Sequence, residues 1–91
     1  FNVYPGEVEA ALLNHPKVGQ VGVVGEPLDE TGEAVVAFVV PVPGAELDDN
    51  ELWDFCRQRL ARYKVPHRFV IAEHLPLGPS GKLRRNQLLS Q

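Results

Sequence analysis

A single cysteine, Cys56, cannot build a disulfide framework, and no Cys/His spacing in these 91 residues suits zinc. His15, His67 and His74 stand too far apart to form a helical ligand pair, so no metal site is expected. The setting implied is reducing and cytoplasmic. Long hydrophobic runs are missing too: the longest, Ala34 to Val40, is far short of the ~20 residues that a bilayer-spanning helix needs. No transmembrane segment and no charged-then-apolar leader are read here. The opening Phe1-Asn2-Val3-Tyr4-Pro5 has neither an initiator Met nor a polar lead, which reads as an interior cut of a larger protein. Acidic residues are nearly absent from one end. Residues 57–91 hold one acid, Glu73, and eight bases, whereas residues 1–56 hold eleven acids and one base, Lys17. The two parts carry +7 and −10 within a net charge of −3, so the basic end is an electrostatic footprint for an anion or an acidic surface.

What is present is the material of one small domain. A 44% hydrophobic and 23% charged composition is that of an ordinary globular chain, with a core too small to enclose a deep cavity. Pro5 suits a first helical turn, Glu7 and Glu9 suit the positive helix end, and Val8, Ala11 and Leu12 share a face up to the stop at Asn14-His15-Pro16. Val18 to Gly25 and Glu33 to Val40 read as a hairpin joined by a long turn at 27–32. The second of these is a near-continuous apolar run, which predicts a central strand covered on both faces. Asp48 to Glu51 has capping-box spacing before Leu52, Phe55, Cys56, Leu60 and Tyr63, and the helix so begun ends in bases before Pro66. A third strand is predicted over Arg68 to Glu73, then a Pro/Gly loop, then a short helix over Lys82 to Leu89. The fold class expected is α+β: a small antiparallel sheet of about three strands packed with helices.

The loop Leu75-Pro76-Leu77-Gly78-Pro79-Ser80-Gly81-Lys82 is the sharpest feature, because two prolines and two glycines fix its path and aim one lysine from its end. A phosphate-binding loop is excluded by spacing: two residues separate the glycines where four are needed, and Leu83 follows the lysine where Ser or Thr belongs. Cys56 falls on the apolar helix face and reads as a core residue, and Trp53 at helical spacing reads as packing. Ser80, His74 and Asp54 have no spacing that supports a catalytic triad.

Three stretches resemble the adenylate-forming, AMP-binding enzymes. Phe1 to Glu9 is similar to the segment after that family's hinge, where Gly-Phe/Tyr-x-Val/Ile-x-Pro leads into Glu-Val/Ile-Glu. Ala61-Arg62-Tyr63-Lys64-Val65-Pro66 resembles its Tyr-Lys-x-Pro element, and Leu75 to Arg85 resembles its Leu-Pro-x-x-x-Ser-Gly-Lys-x-x-Arg ending. Leu77-Gly78 departs from the common Arg-Thr. Lys64 and Ser80 stand where peptide-synthetase adenylation domains have Met and Asn, which favours an acyl-CoA synthetase, and Phe1 to Pro5 looks most like a medium- or long-chain fatty acid–CoA ligase.

The resemblance implies that residues 1–91 are the C-terminal lid domain, partnered by a large N-terminal domain of the same chain that is absent here. It implies ATP, with Mg2+ bound mainly by that missing domain, and CoA as the small-molecule partners, with no nucleic acid. Lys82 is then the catalytic residue of adenylation, with Ser80 and Gly81 positioning its loop. Phe1, Tyr63, Lys64 and Val65 line the CoA path, and Arg57, Arg59 and Arg62 meet the CoA phosphates. Two alternatives stay open: the lid of an aryl-CoA ligase or peptide-synthetase adenylation domain, and a non-catalytic interaction module.

Overall fold

The computed structural model describes residues 4–29 and 32–90. Helix α1 spans Pro5–Leu12, strand β1 Val18–Leu28, β2 Gly32–Pro41, helix α2 Asp49–Arg57 and β3 Arg68–Ile71. Short 3-10 turns occupy Arg62–Lys64 and Arg85–Ser90. The α+β class holds, and the sheet has three strands in the order β1-β2-β3. It is mixed rather than purely antiparallel. β1 and β2 form the predicted hairpin, but β3 runs parallel to β2, with Val36 opposite Arg68 and Val39 opposite Ile71. The reason lies in connectivity: α2 carries the chain back across the sheet, and a strand reached through such a crossover returns in the original direction.

The apolar run from 34 to 40 explains both layers. Val35, Ala37 and Val39 join Val23 and Phe69 beneath α1 and α2, where Val8, Leu12, Leu52 and Cys56 complete the main core. The alternate residues Val36 and Phe38 point to the opposite face and pack with Leu75 and Leu88, flanked by Val24, Val40, Val70 and Leu83. Period-two geometry turns one unbroken apolar strand into the centre of two cores. Helices cover the first face, and the C-terminal segment covers the second.

Local chemistry sets the ends. Pro5 opens α1, and the Asp48 side chain accepts the Glu51 N–H at 2.9 Å to cap α2. Glu51 does not reach back to close a capping box. Its carboxylate instead meets Lys17 Nζ at 3.1 Å and buried His15 Nε2 at 3.4 Å, tying the start of β1 to α2. α2 ends at Arg57, earlier than its basic tail suggested, because Arg59 N–H closes a tighter turn onto Cys56 C=O at 3.0 Å and Ala61 turns extended. The strands run further into the first turn than expected, to Leu28 and from Gly32, and Gly32 has φ +107°, open only to glycine without strain. Residues 30 and 31 of that predicted turn lie outside the described residues. Among the described residues no helix is long and apolar enough to cross a membrane.

Cys56 is 0% exposed, as its place on the helix face predicts. Burial pushes its thiol up from 9.0 to about 11, partly offset by the Arg59 guanidinium. The thiolate is the reactive form, so the folded thiol is inert at neutral pH. Because the folded state holds the proton more tightly, this contribution to stability is complete below the unfolded pKa and is lost as pH rises from 9.0 toward about 11. Unfolding measured across that range should show Cys56→Ala losing less stability with rising pH than the parent chain. Identical pH slopes would contradict the assignment.

Candidate functional site

The loop that bears Lys82 is a hairpin. Leu77 and Leu83 form an antiparallel bridge, Arg84 N–H donates to Pro76 C=O at 2.7 Å, and Gly78 N–H donates to Lys82 C=O at 2.7 Å. Gly81 N–H donates to Gly78 C=O at 2.9 Å, which closes a turn with Pro79 at its second position. Gly81 then takes φ +83°. This is the three-residue hairpin loop in which a closed turn is followed by a left-handed glycine, and it explains the Pro-Ser-Gly order. Lys82–Arg84 are therefore the return arm of a hairpin, not the start of a helix, and the final 3-10 turn begins only at Arg85. Ser80, Gly81 and Lys82 are exposed. Among the described residues the Lys82 ammonium has no ion pair or hydrogen bond. Its backbone is tied by the turn, and its charge is left open to an anion.

The hairpin is seated on the second face of the sheet. Leu75 and Leu88 are buried there, and Gly22 lets the return arm approach β1 closely: a Cβ at Gly22 would lie 2.9 Å from Leu83 Cδ2 and 3.1 Å from Leu88 Cδ1.

Tyr63, Lys64 and Val65 lie on the other face, beyond the end of α2. Tyr63 is 48% exposed and stands edge-on to Tyr4 with ring centroids 6.4 Å apart. Lys64 points inward: its Nζ meets Glu7 Oε1 at 2.8 Å and lies 4.7 Å from the Tyr4 ring centroid and 5.5 Å from that of Tyr63. The hydrogen bond to Glu7, opposed by desolvation and helped by the Glu7 charge and the neighbouring Tyr63 hydroxyl, holds the ammonium above the ordinary lysine range. Val65 is 9% exposed and belongs to the main core, so it offers a ligand backbone rather than side chain. Phe1 lies outside the described residues.

Beside Tyr63 opens a groove of about 910 Å³ lined by Val35, Trp53, Arg57, Arg62, Tyr63 and His67. Trp53, assigned to packing by its spacing, is 43% exposed with the Arg57 guanidinium 4.5 Å over its ring. Arg59 is turned away, stacked 3.6 Å over Phe55. The groove thus combines an aromatic platform with Arg57 and Arg62, a composition suited to a base or ring carrying phosphates. The helical period placed Trp53 on a face but could not show that the face lies at the domain's rim.

Glu7, Glu9 and Arg85 are the residues whose part in the site the sequence did not reveal. Glu9 Oε2 accepts the Val23 N–H at 2.9 Å and pairs with Arg85, which also donates to Val23 C=O. In the sequence Glu7 and Glu9 answer to the helix dipole and to the family stretch, with no sign of a partner. Both stand in the Glu-Val-Glu stretch, and Arg85 closes the Lys-x-x-Arg stretch, so the signal was present without its pairing. No group of three or more His, Cys, Asp or Glu that could hold a metal ion occurs among the described residues.

The domain thus presents a lysine from one sheet face and a basic, aromatic groove on the other. Residues 7–82 match the AMP-binding enzyme C-terminal domain, and the chain belongs to that family. It is 47% identical over 87 residues to the 2-succinylbenzoate–CoA ligase of Geobacillus kaustophilus, covering 96% of this chain and 18% of that protein. The o-succinylbenzoate CoA synthetase of Bacillus subtilis, solved with a product analogue, superimposes over all of this chain and 18% of its own with a TM-score of 0.91 and 41% identity. Other structures of that enzyme hold its acyl-adenylate intermediate, or ATP and a magnesium ion. A fatty acyl CoA synthetase of Mycobacterium tuberculosis covers all of this chain and 18% of its own with a TM-score of 0.90 and 37% identity. The chain spans less than a fifth of the length of these proteins.

The expectation of a medium- or long-chain fatty acid–CoA ligase, and of a place in fatty acid metabolism, is corrected by these matches. The 2-succinylbenzoate–CoA ligases match at up to 47% identity and a ligase of a saturated bicyclic propanoate from Rhodococcus jostii at 43%, against 37% for the fatty acyl CoA synthetase.

Gly81→Ala should cost about 1–2 kcal/mol, the penalty of a left-handed L-residue, and should speed hydrogen exchange at the Gly78 amide. Denaturant unfolding and exchange measured on the same variant check this. Unchanged values for both would mean that the turn does not require φ +83°.

Proposed function

We propose that residues 1–91 are the C-terminal lid of a two-domain ligase that activates an aryl carboxylate of the 2-succinylbenzoate kind and passes it to CoA. In the first half-reaction a carboxylate oxygen attacks the α-phosphorus of ATP; a new O–P bond forms, pyrophosphate leaves, and an acyl-adenylate results. In the second the CoA thiolate attacks the acyl carbon, the acyl C–O bond breaks, and AMP leaves. Mg2+, held by the large domain, would neutralise phosphate charge.

Within this scheme Lys82 is the residue that serves adenylation. The observation that carries the reading is its unpaired ammonium at the end of a fixed, exposed hairpin. A preorganised charge aimed at oxygens that gain negative charge stabilises the transition state by roughly 3–4 kcal/mol. Ser80 and Gly81 set the turn that aims it. The groove beside Tyr63 is assigned to CoA, with Trp53 and Tyr63 as ring platforms and Arg57 and Arg62 toward phosphate. Lys64 supports that wall through Glu7 rather than meeting phosphate directly, and Val65 anchors it from the core. Because hairpin and groove lie on opposite faces of one sheet, they suit a domain that presents a different surface in each half-reaction.

Lys82→Ala in the full-length protein should slow pyrophosphate release by roughly 10²–10³-fold while thioester formation from supplied acyl-adenylate and CoA stays close to the parent rate. Equal loss in both steps by a folded variant would remove Lys82 from the adenylation role. Substrate class is checked on the unmodified full-length protein by comparing kcat/KM for 2-succinylbenzoate with that for straight-chain fatty acids. An advantage of at least about tenfold for the aryl acid is expected, and the reverse order would overturn the aryl assignment.

A further inference from the structure

We propose that Glu9 and Arg85 form a positioning clamp for Lys82, standing in for a missing fourth strand at the edge of the sheet and thereby fixing the hairpin's return arm. The inference rests on the reading of Lys82 as the adenylation residue. β1 is an edge strand, and in its register with β2 Val23 lies opposite Ala37. Its N–H and C=O point away from β2, where a further strand would supply one acceptor and one donor. Glu9 Oε2 supplies the acceptor at 2.9 Å, and Arg85 Nη1 supplies the donor while also bonding Glu9. The ion pair completes the ladder at this one position.

This closure is placed where it controls Lys82. Arg85 follows the lysine by three residues and opens the 3-10 turn whose Leu88 is fully buried. Between them Leu83 rests over Gly22, the neighbour of Val23 on β1. The return arm is therefore held by apolar packing on the sheet face and by charge-assisted bonds on its edge. The outgoing arm is held by buried Leu75. Residues 79–82 at the tip have no anchors of their own beyond the turn bonds.

Glu9 has a side chain only 18% exposed, so the pair is shielded from solvent more than an ordinary surface ion pair. Removing Arg85 strands a partly buried carboxylate and leaves the Val23 carbonyl without its donor. The consequence should fall on placement: a reacting group displaced by about 1 Å loses on the order of 10²-fold in rate.

The test uses the full-length protein and the variants Arg85→Ala, Arg85→Lys, Glu9→Gln and Lys82→Ala. Pyrophosphate release with ATP and the acid substrate reads adenylation, and thioester yield from supplied acyl-adenylate and CoA reads the second step. Thermal unfolding and hydrogen exchange at the Gly78 and Arg84 amides report the fold and the hairpin. For Arg85→Ala we expect adenylation kcat to fall by about 10–10²-fold, KM values and the thioester step to stay within about twofold, and both amides to exchange faster. Arg85→Lys, which keeps the charge toward Glu9, should recover most of the loss. Glu9→Gln keeps an acceptor for Val23 and preserves the fold even if Arg85→Ala does not; it should show a smaller loss confined to adenylation. Loss of both half-reactions in step with the melting temperature would overturn the clamp and leave a purely structural ion pair. Full adenylation in Arg85→Ala and Glu9→Gln, with Lys82→Ala impaired, would overturn the clamp alone. Full adenylation in Lys82→Ala would overturn the reading of Lys82 on which the clamp depends.

Discussion

The burial of β2 on both faces is the constraint from which the rest of the domain follows. A seven-residue apolar stretch, Ala34 to Val40, cannot leave either side to water, so each side must be roofed by something else in a chain of this length. Two helices roof one side. Only the C-terminal segment remains for the other, and Leu75, Leu83 and Leu88 are the residues that do it. The segment that presents Lys82 is therefore also structural, and the hairpin's rigidity derives from hydrophobic burial rather than from its own few hydrogen bonds.

Helix α1 joins the three stretches that mark the family resemblance. Its Glu7 reaches Lys64 and its Glu9 reaches Arg85, so two carboxylates two residues apart diverge to opposite regions of the domain. One supports the wall of the groove, and the other secures the arm below Lys82. This gives a physical reason for acids in the Glu-Val-Glu stretch that helix-dipole energetics alone, worth a few tenths to about 1 kcal/mol, does not supply. Val8 between them faces the core and fixes the helix rotation on which both reaches depend.

Much of this architecture was legible in the residue order, and the limits of legibility have definite causes. The apolar run declared a doubly covered strand, Pro5 and Asp48 declared helix starts, and Pro79 with Gly81 declared a turn that ends in a lysine. The direction of β3 was not legible, because a four-residue strand carries no signal of its orientation and only the path of α2 decides it. Nor was the end of α2, since bases at 57, 59, 62 and 64 fit a long helix by charge while backbone geometry stops it at Arg57. Within the candidate site, the exposure of Lys82 was readable from its Pro/Gly loop, though its role rests on the family resemblance, whereas Lys64 looked like a free cation until its partner 57 residues earlier in the chain came into view. Pairings across such separations leave no trace in local spacing. The nature of the acyl group was misread for another reason: it was inferred from the resemblance of five residues, Phe1 to Pro5, and from no chemistry of their side chains.

The seating of the hairpin on the second sheet face has a consequence for how the chain is made. Synthesis delivers the sheet before the segment that roofs it, so Val36, Phe38, Val24 and Val40 stay open to water until residues 75–88 have left the ribosome. Completion of the last core and delivery of the lysine are then a single late event. Loss of residues 75–88 would expose a sticky apolar surface and leave the rest of the domain open to aggregation or proteolysis. Covering the second core and placing Lys82 thereby fall to the same few residues.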